Sequence, residues 1–244
     1  MTRDQVSSAA LRALRVLQDG QVASVAQLNT CAEAMNIVLK NAQSAGLQLW
    51  TYQLIQIPCQ TNKTTYTIGS TGADITNVRP LRIFPEGNFV RFASGGQNYD
   101  TPLNLLSRQE YMNMGNKGST GIVNSLYYFP GIDLSTGKTS PSTGYGTLYV
   151  YVSPMDTTRT VFLNAQRPIY DVSTGTDEID FPQEWNVWLK WQVAAEVADE
   201  FEVPEARLQR VEAKAKYYHD QLQDWSVENA PFMIQPDFRM GASW

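Results

Sequence analysis

Between Asp180 and Trp225 the apolar positions return at helical intervals. Val187, Trp191, Ala194, Ala198 and Phe201 follow at spacings of 4, 3, 4 and 3, with Trp188 and Ala195 beside them. That spacing predicts one face of an α-helix. Leu189, Val193 and Val197 form a second apolar stripe on the opposite side. A helix apolar on two sides packs between layers or between subunits. Asp180, Pro182 and Glu184 mark its start, because an acceptor, a residue without an amide and a negative charge all suit a helix N-terminus. Pro204 then breaks the chain. Leu208, Val211, Ala215, Tyr218, Leu222 and Trp225 run on at 3, 4, 3, 4 and 3. Arg207, Arg210, Glu212, Lys214 and Lys216 fill the other side and read as a solvated face. The two helices make an αα-hairpin.

The start of the chain has the same character. Ala10, Leu14 and Leu17 predict a short helix over 5–18, ended by Gly20. Ser24 with Gln27 makes a capping box. Val25, Leu28, Ala32, Met35, Leu39 and Ala42 follow at 3, 4, 3, 4 and 3, and Gly46 is the stop. Helices with matching stripes pack together, so the two ends of the chain are expected in one helical layer.

The middle alternates instead. Strands are predicted at 47–52, 64–69, 81–84, 89–92, 124–130, 147–153 and 160–165, separated by turn residues such as Pro85-Glu86-Gly87-Asn88. Ser107 with Glu110 is another capping box and predicts a short helix over 108–114. The segment 172–180 leads back to the helices. The expected fold is therefore α+β. A helical bundle (1–46 and 181–225) carries an inserted antiparallel β-sandwich or barrel-like domain (47–180) and an extended C-terminal arm (226–244). The arm has no periodicity, yet it carries Phe232, Met233, Ile234, Phe238, Met240 and Trp244. A solvated tail rarely keeps so many large apolar groups. It either lies along its own domain or docks on another chain.

The chain has 244 residues, 43% of them hydrophobic and 11% aromatic, enough for a substantial core. Its net charge of −5 argues against specific nucleic-acid binding, since phosphate contacts favour a basic protein. Cys31 and Cys59 match no metal framework and read as reduced thiols. The N-terminal residues lack the apolar run of a signal peptide, and no stretch of about 18 apolar residues predicts a membrane span.

No catalytic constellation is legible, and no cofactor is expected. His219 is the only histidine, sits mid-helix and has no Ser or Cys motif to partner it. Gly137-Lys138-Thr139 resembles the end of a phosphate loop, but Ile132 stands where the earlier glycine is required. Glu196 and Glu200 lie one turn apart on an expected exposed strip. Asp177, Glu178 and Asp180 are the carboxylates open to a glycosidase reading. Trp50, Tyr52, Tyr127, Tyr128, Tyr145, Tyr149 and Tyr151 could serve a carbohydrate-binding β module, or be core and cross-strand pairs.

Several short pieces, taken in order, carry a resemblance. They are Ala45-Gly46-Leu47-Gln48-Leu49-Trp50, Tyr66-Thr67-Ile68-Gly69, Arg79-Pro80, Asp100-Thr101-Pro102-Leu103 with Leu106-Ser107-Arg108-Gln109-Glu110-Tyr111, and Phe181-Pro182-Gln183-Glu184-Trp185. In this order, over roughly residues 24–225, the chain resembles the head-to-tail adaptor proteins of short-tailed bacteriophages, also called tail accessory factors or connector ring proteins. The segment 120–172 and the tail are longer than a compact adaptor needs. The resemblance implies a structural virion protein, not an enzyme. It would be made in the host cytoplasm and placed at the head–tail junction as a homo-oligomeric ring, usually of twelve copies. Such a ring sits beneath the portal protein, extends the channel through which double-stranded DNA passes without specific binding, and mounts the tail nozzle. It further implies a portal-docking role for the arm residues Phe232, Met233, Ile234, Phe238, Met240 and Trp244. Leu189, Val193 and Val197 suit lateral contacts in the ring.

Overall fold

Residues 1–45, 49–131 and 144–225 are described by a computed structural model, and they form a mixed α+β chain. The helices among them are α1 (Arg3–Leu14), α2 (Val25–Ala45), α3 (Arg108–Asn113), α4 (Asn186–Glu196) and α5 (Glu205–Trp225). The strands are β1 (Tyr52–Pro58), β2 (Thr65–Gly69), β3 (Ile75–Thr76), β4 (Arg82–Ile83), β5 (Phe89–Ser94), β6 (Gln97–Pro102), β7 (Asn104–Leu105), β8 (Thr120–Gly121), β9 (Ser125–Phe129), β10 (Gly146–Tyr151), β11 (Ser153–Pro154) and β12 (Arg159–Gln166). Contacts divide the chain into two compact units. The helical unit holds Arg3–Met35 and the described residues from Gln183 onward; the β unit holds Asn36–Pro182.

In the helical unit α1 packs on α4 and α5, and α4 on α5. Val6, Ala10, Leu11 and Leu14 of α1 are buried, as are Cys31, Ala32, Ala34 and Met35 of α2. The capping box at Ser24 forms as expected, with Gln27 N–H donating to Ser24 Oγ at 3.2 Å and Ser24 N–H to Gln27 Oε1 at 2.9 Å. The predicted seam of α2 begins one turn late, because Val25 is 74% exposed.

Helix α1 ends earlier than predicted. Arg15 takes a left-handed φ of 65°, its N–H bonds Arg12 O at 3.0 Å, and Val16 N–H bonds Leu11 O at 3.0 Å. This pair of bonds is a Schellman closure made without glycine. The turn after α4 repeats it. Glu202 has φ 48°, Glu202 N–H bonds Asp199 O at 3.2 Å, and Val203 N–H bonds Ala198 O at 3.2 Å. Arg207, read from sequence as part of a solvated face, instead donates from Nε to Ala13 O at 2.9 Å and caps a last-turn carbonyl of α1.

The β unit contains two five-stranded sheets and a small parallel pair, β11–β8. One sheet is antiparallel throughout, in the order β1-β12-β5-β6, with β4 also on β12. The other is mixed, in the order β3-β2-β10-β9-β7. Neither closes into a barrel, so the barrel-like option falls. Side chains of both sheets share one core. Ile55, Ile57, Val90, Val161 and Leu163 come from the first, and Tyr66, Ile68, Leu126, Tyr128, Leu148 and Val150 from the second. Register explains the selection, since Ile55 faces Leu163 and Ile57 faces Val161 across β1 and β12.

Beyond the unpredicted two-residue strands β3, β7 and β8, two longer strands depart from expectation. The chain forms a short 3₁₀ turn over Leu49–Thr51, and β1 starts only at Tyr52, where Ile55 and Ile57 alternate inward. Strand β6 escaped notice because every residue in it is exposed and mostly polar. Its pairing is set by the Gly95-Gly96 turn, where both residues have positive φ, as a two-residue hairpin loop demands.

The boundary between units also differs from the expected one. It falls inside α2, at Met35/Asn36. Asn36 Oδ1 accepts from Val172 N–H at 3.0 Å and its amide donates to Val172 O at 3.2 Å. Lys40 Nζ donates to Ile169 O at 2.9 Å, and Gln43 Oε1 accepts from Ile169 N–H at 2.9 Å. This polar stripe joins the second half of α2 to the β unit. The arm residues Phe232, Met233, Ile234, Phe238, Met240 and Trp244, and the Gly137-Lys138-Thr139 segment, lie outside the described residues.

Candidate functional site

On α4 the two apolar stripes have different fates. Leu189, Val193 and Val197 are all fully buried in the chain's own helical unit. The side chains expected to face a neighbouring subunit are therefore spent on the fold. Trp185 and Trp188 join them, edge to face at 5.5 Å between ring centroids. The exposed side of α4 is built from Val187, 43% exposed, and from Lys190 and Trp191, both half-buried.

Trp191 is flanked by two cations. Lys190 Nζ lies 4.6 Å from its ring centroid and Lys214 Nζ of α5 lies 4.4 Å from it. Each contact is worth about 0.5–1 kcal/mol at an exposed site. Burial, and next the Lys214 charge, hold the Lys190 ammonium below the usual lysine range. Among the described residues neither lysine has an ion pair. No acid stands three or four places from either on its helix. Arg210, four residues before Lys214, extends the positive strip.

Between α4 and α5 runs an open groove of about 470 Å³, lined by Gln192, Ala195, Glu196, Glu212, Ala215, Lys216 and His219. His219 was expected on the surface; its side chain is 34% exposed and its ring lies 5.9 Å from that of Trp188. Its Nδ1 is 3.6 Å from Asp220 Oδ1, too long for a hydrogen bond. Among the described residues no group of three or more His, Cys, Asp or Glu side chains could hold a metal ion. No helix among them is long and apolar enough to cross a membrane.

Two of the carboxylates considered for glycoside hydrolysis, Asp177 and Asp180, serve the β unit's loops. Asp180 pairs with both guanidinium nitrogens of Arg167, the Nη2 contact being 2.8 Å. Asp177 Oδ2 accepts from Ser173 N–H at 2.8 Å and Thr174 N–H at 2.7 Å. Glu178 forms a β-bridge with Thr2.

The aromatic residues are divided rather than gathered. Tyr128 points into the core and donates to Pro80 O at 2.7 Å, and burial raises its hydroxyl pKa. Tyr127 faces the other way, packed with Tyr149 at 5.7 Å and with Tyr111 of α3 at 5.5 Å. Trp50 packs on Phe181 and Tyr52 on Phe84. Tyr145 donates to Thr71 O at 3.0 Å. The Arg79-Pro80 pair has a structural role here, because Arg79 Nη1 donates to Pro130 O at 2.6 Å while Pro80 receives Tyr128.

Sequence reasoning did not mark Lys190 and Lys214 as a pair, since they lie on different helices. The available signal was the absence of acids at helical spacing around each. Compared with known proteins, the chain matches no family model and no curated protein.

Proposed function

We propose that this protein is a structural component of a short-tailed bacteriophage virion, a head-to-tail adaptor that assembles as a ring beneath the portal. The observation that carries the reading is the chain order. Helices from both ends form one unit, and the β unit is inserted between them. The ordered sequence pieces that resemble the adaptor family fall on this frame: Phe181–Trp185 leads into α4, Ser107–Tyr111 caps and forms α3, and Tyr66–Gly69 is β2. The core shared by the two sheets supports a sandwich reading of the insert.

In this role the ring has about twelve copies, extends the DNA channel and mounts the tail nozzle. The acidic balance suits a wall past which DNA slides without being held. Phe232, Met233, Ile234, Phe238, Met240 and Trp244 are the portal-docking residues in this reading. Lateral contact falls to the exposed side of α4, because Leu189, Val193 and Val197 are buried. The carbohydrate-binding alternative is not favoured, because Tyr127 and Tyr128 are buried on opposite faces of their sheet.

The test is native mass, by light scattering and negative-stain imaging, of the protein alone and mixed with portal rings. A ring on the portal, lost on deletion of residues 226–244, is the expected result. A chain indifferent to portal rings, yet retained on a glycan column, would overturn it.

A further inference from the structure

Among its described residues the helical unit carries two oppositely charged patches. The positive one is Lys190 and Lys214 on the half-buried ring of Trp191, with Arg210 one turn before Lys214 on α5. The negative one is Glu196, Asp199, Glu200 and Glu202, all exposed at the far end of α4 and in the turn that follows. Among the described residues none of these side chains forms an ion pair. Glu196 is the last residue of α4, and Asp199, Glu200 and Glu202 follow it in the turn, so four like charges lie within seven residues. They also crowd the C-terminal end of a helix, where the dipole disfavours negative charge. Lys190 and Lys214 repel each other across Trp191. Each patch carries the charge that complements the other.

Along α4, which ends at Glu196, Lys190 and Glu196 are separated by roughly 9 Å at about 1.5 Å per residue, and among the described residues no ion pair joins the two patches. We propose that the Lys190–Trp191–Lys214 face docks on the Glu196–Glu202 end of a second copy of this chain. The contact is head-to-tail: two different patches meet, so each copy keeps its other patch free for the next. Repetition of such a contact closes a ring if the rotation permits. The composition suits a contact centre, with an aromatic and long cationic side chains bordered by Val187. A carboxylate partner is favoured over DNA phosphate because the complementary acids are on the same chain, whose net charge is −5. The inference rests on the adaptor reading for its biological setting, but not for its chemistry.

Four full-length chains test it by sedimentation velocity across concentration, without portal: wild type, Lys190→Glu with Lys214→Glu, Glu196→Lys with Glu200→Lys, and the chain bearing all four changes. Self-association should be weakened about tenfold or more in each pair of reversals. It should return in an equimolar mixture of the two, and in the four-change chain. Circular dichroism checks that each variant folds. Equal masses for all four chains, or a wild type monomeric at every concentration, would overturn the proposal. So would a DNA duplex that binds wild type and not the Lys190→Glu, Lys214→Glu chain, with masses unchanged. Portal binding is scored separately. A chain that self-associates through this contact and ignores portal rings ends the adaptor reading and keeps the contact. One that binds portal rings with masses indifferent to the reversals does the opposite.

Discussion

The helical unit turns its corners with backbone hydrogen bonds, whereas the β unit ties its loops with charged and amide side chains. After α1 and after α4 the chain reverses at Arg15 and Glu202, each in a left-handed conformation closed by N–H groups that return to carbonyls three and five residues earlier. In the β unit Asp74 accepts from Thr67 N–H at 2.9 Å and from Lys63. Asp156 accepts from Thr158 N–H at 3.0 Å. Asn88 links Phe84 O to Asn164 N–H, and Asp177 gathers the amides of 173–174. The helical unit thus depends on apolar packing to hold strained turns. The β unit adds a dependence on ionised carboxylates.

Each unit carries one thiol, which allows the comparison to be read one unit at a time. Cys31 and Cys59 are buried, and burial pushes both pKa values up to about 11. At pH 8 both should resist a thiol reagent until their own unit opens. The largest effects are expected from core truncation. Leu189→Ala should destabilise the helical unit by about 2–5 kcal/mol, and Leu163→Ala the β unit by a similar amount. The first should speed labelling of Cys31 and the second that of Cys59. Equal acceleration of both thiols by either change would show one cooperative unit.

Next comes Gly146. A Cβ there would stand 2.0 Å from Tyr128 Oη, whose hydroxyl is fixed on Pro80 O. Gly146→Ala should cost about 1–3 kcal/mol by overpacking, read as a lower denaturant midpoint and faster labelling of Cys59. Unchanged labelling would mean that Tyr128 can move aside freely.

These sites also show what a sequence discloses. The capping boxes at Ser24 and Ser107 were legible because both partners lie within four residues and the chemistry is local. The helical stripes of α2, α4 and α5 were legible from spacing. Which stripe of α4 faces inward was not, because Leu189 and Val187 are equally apolar and only α1 and α5 decide between them. The stripe Asn36, Lys40 and Gln43 reads as solvated helix, yet it binds the 169–172 segment more than a hundred residues away. Strand β6 offers no alternation, so only its partner β5 defines it. The paired lysines at Trp191 follow the same rule: each helix shows only that its own lysine lacks an acid at helical spacing, and the pair exists only once α4 and α5 are packed.

The non-glycine turns give a smaller prediction of opposite sign. A left-handed residue with a side chain costs about 1–2 kcal/mol, part of which glycine recovers. Arg15→Gly should therefore stabilise the helical unit by about 0.5–1 kcal/mol, seen as slower labelling of Cys31 with Cys59 unchanged. Destabilisation would mean that the Arg15 side chain contributes more than its backbone strain costs.

Acid should distinguish the units most finely. Hydrogen bonds hold the carboxyl groups of Asp74, Asp100, Glu110 and Asp156 below their usual range; the leading donors are Lys63, Arg91, Ser107 and Thr158 respectively. All four belong to the β unit. A depressed folded pKa contributes stability that is complete above the unfolded value, about 4, and is lost as pH falls through the folded one. Acidification from pH 5 toward 3 should therefore loosen the β unit, with the loops at 63–74 and 156–159 exchanging amide hydrogens first. These groups are exposed and screened by salt, so each contributes little. Asp74→Asn keeps the shape and removes the charge. It should flatten the acid dependence of exchange at Thr67 while leaving Thr158 unchanged. If both loops respond alike, the carboxylates act through the net charge of the unit and not through their individual partners.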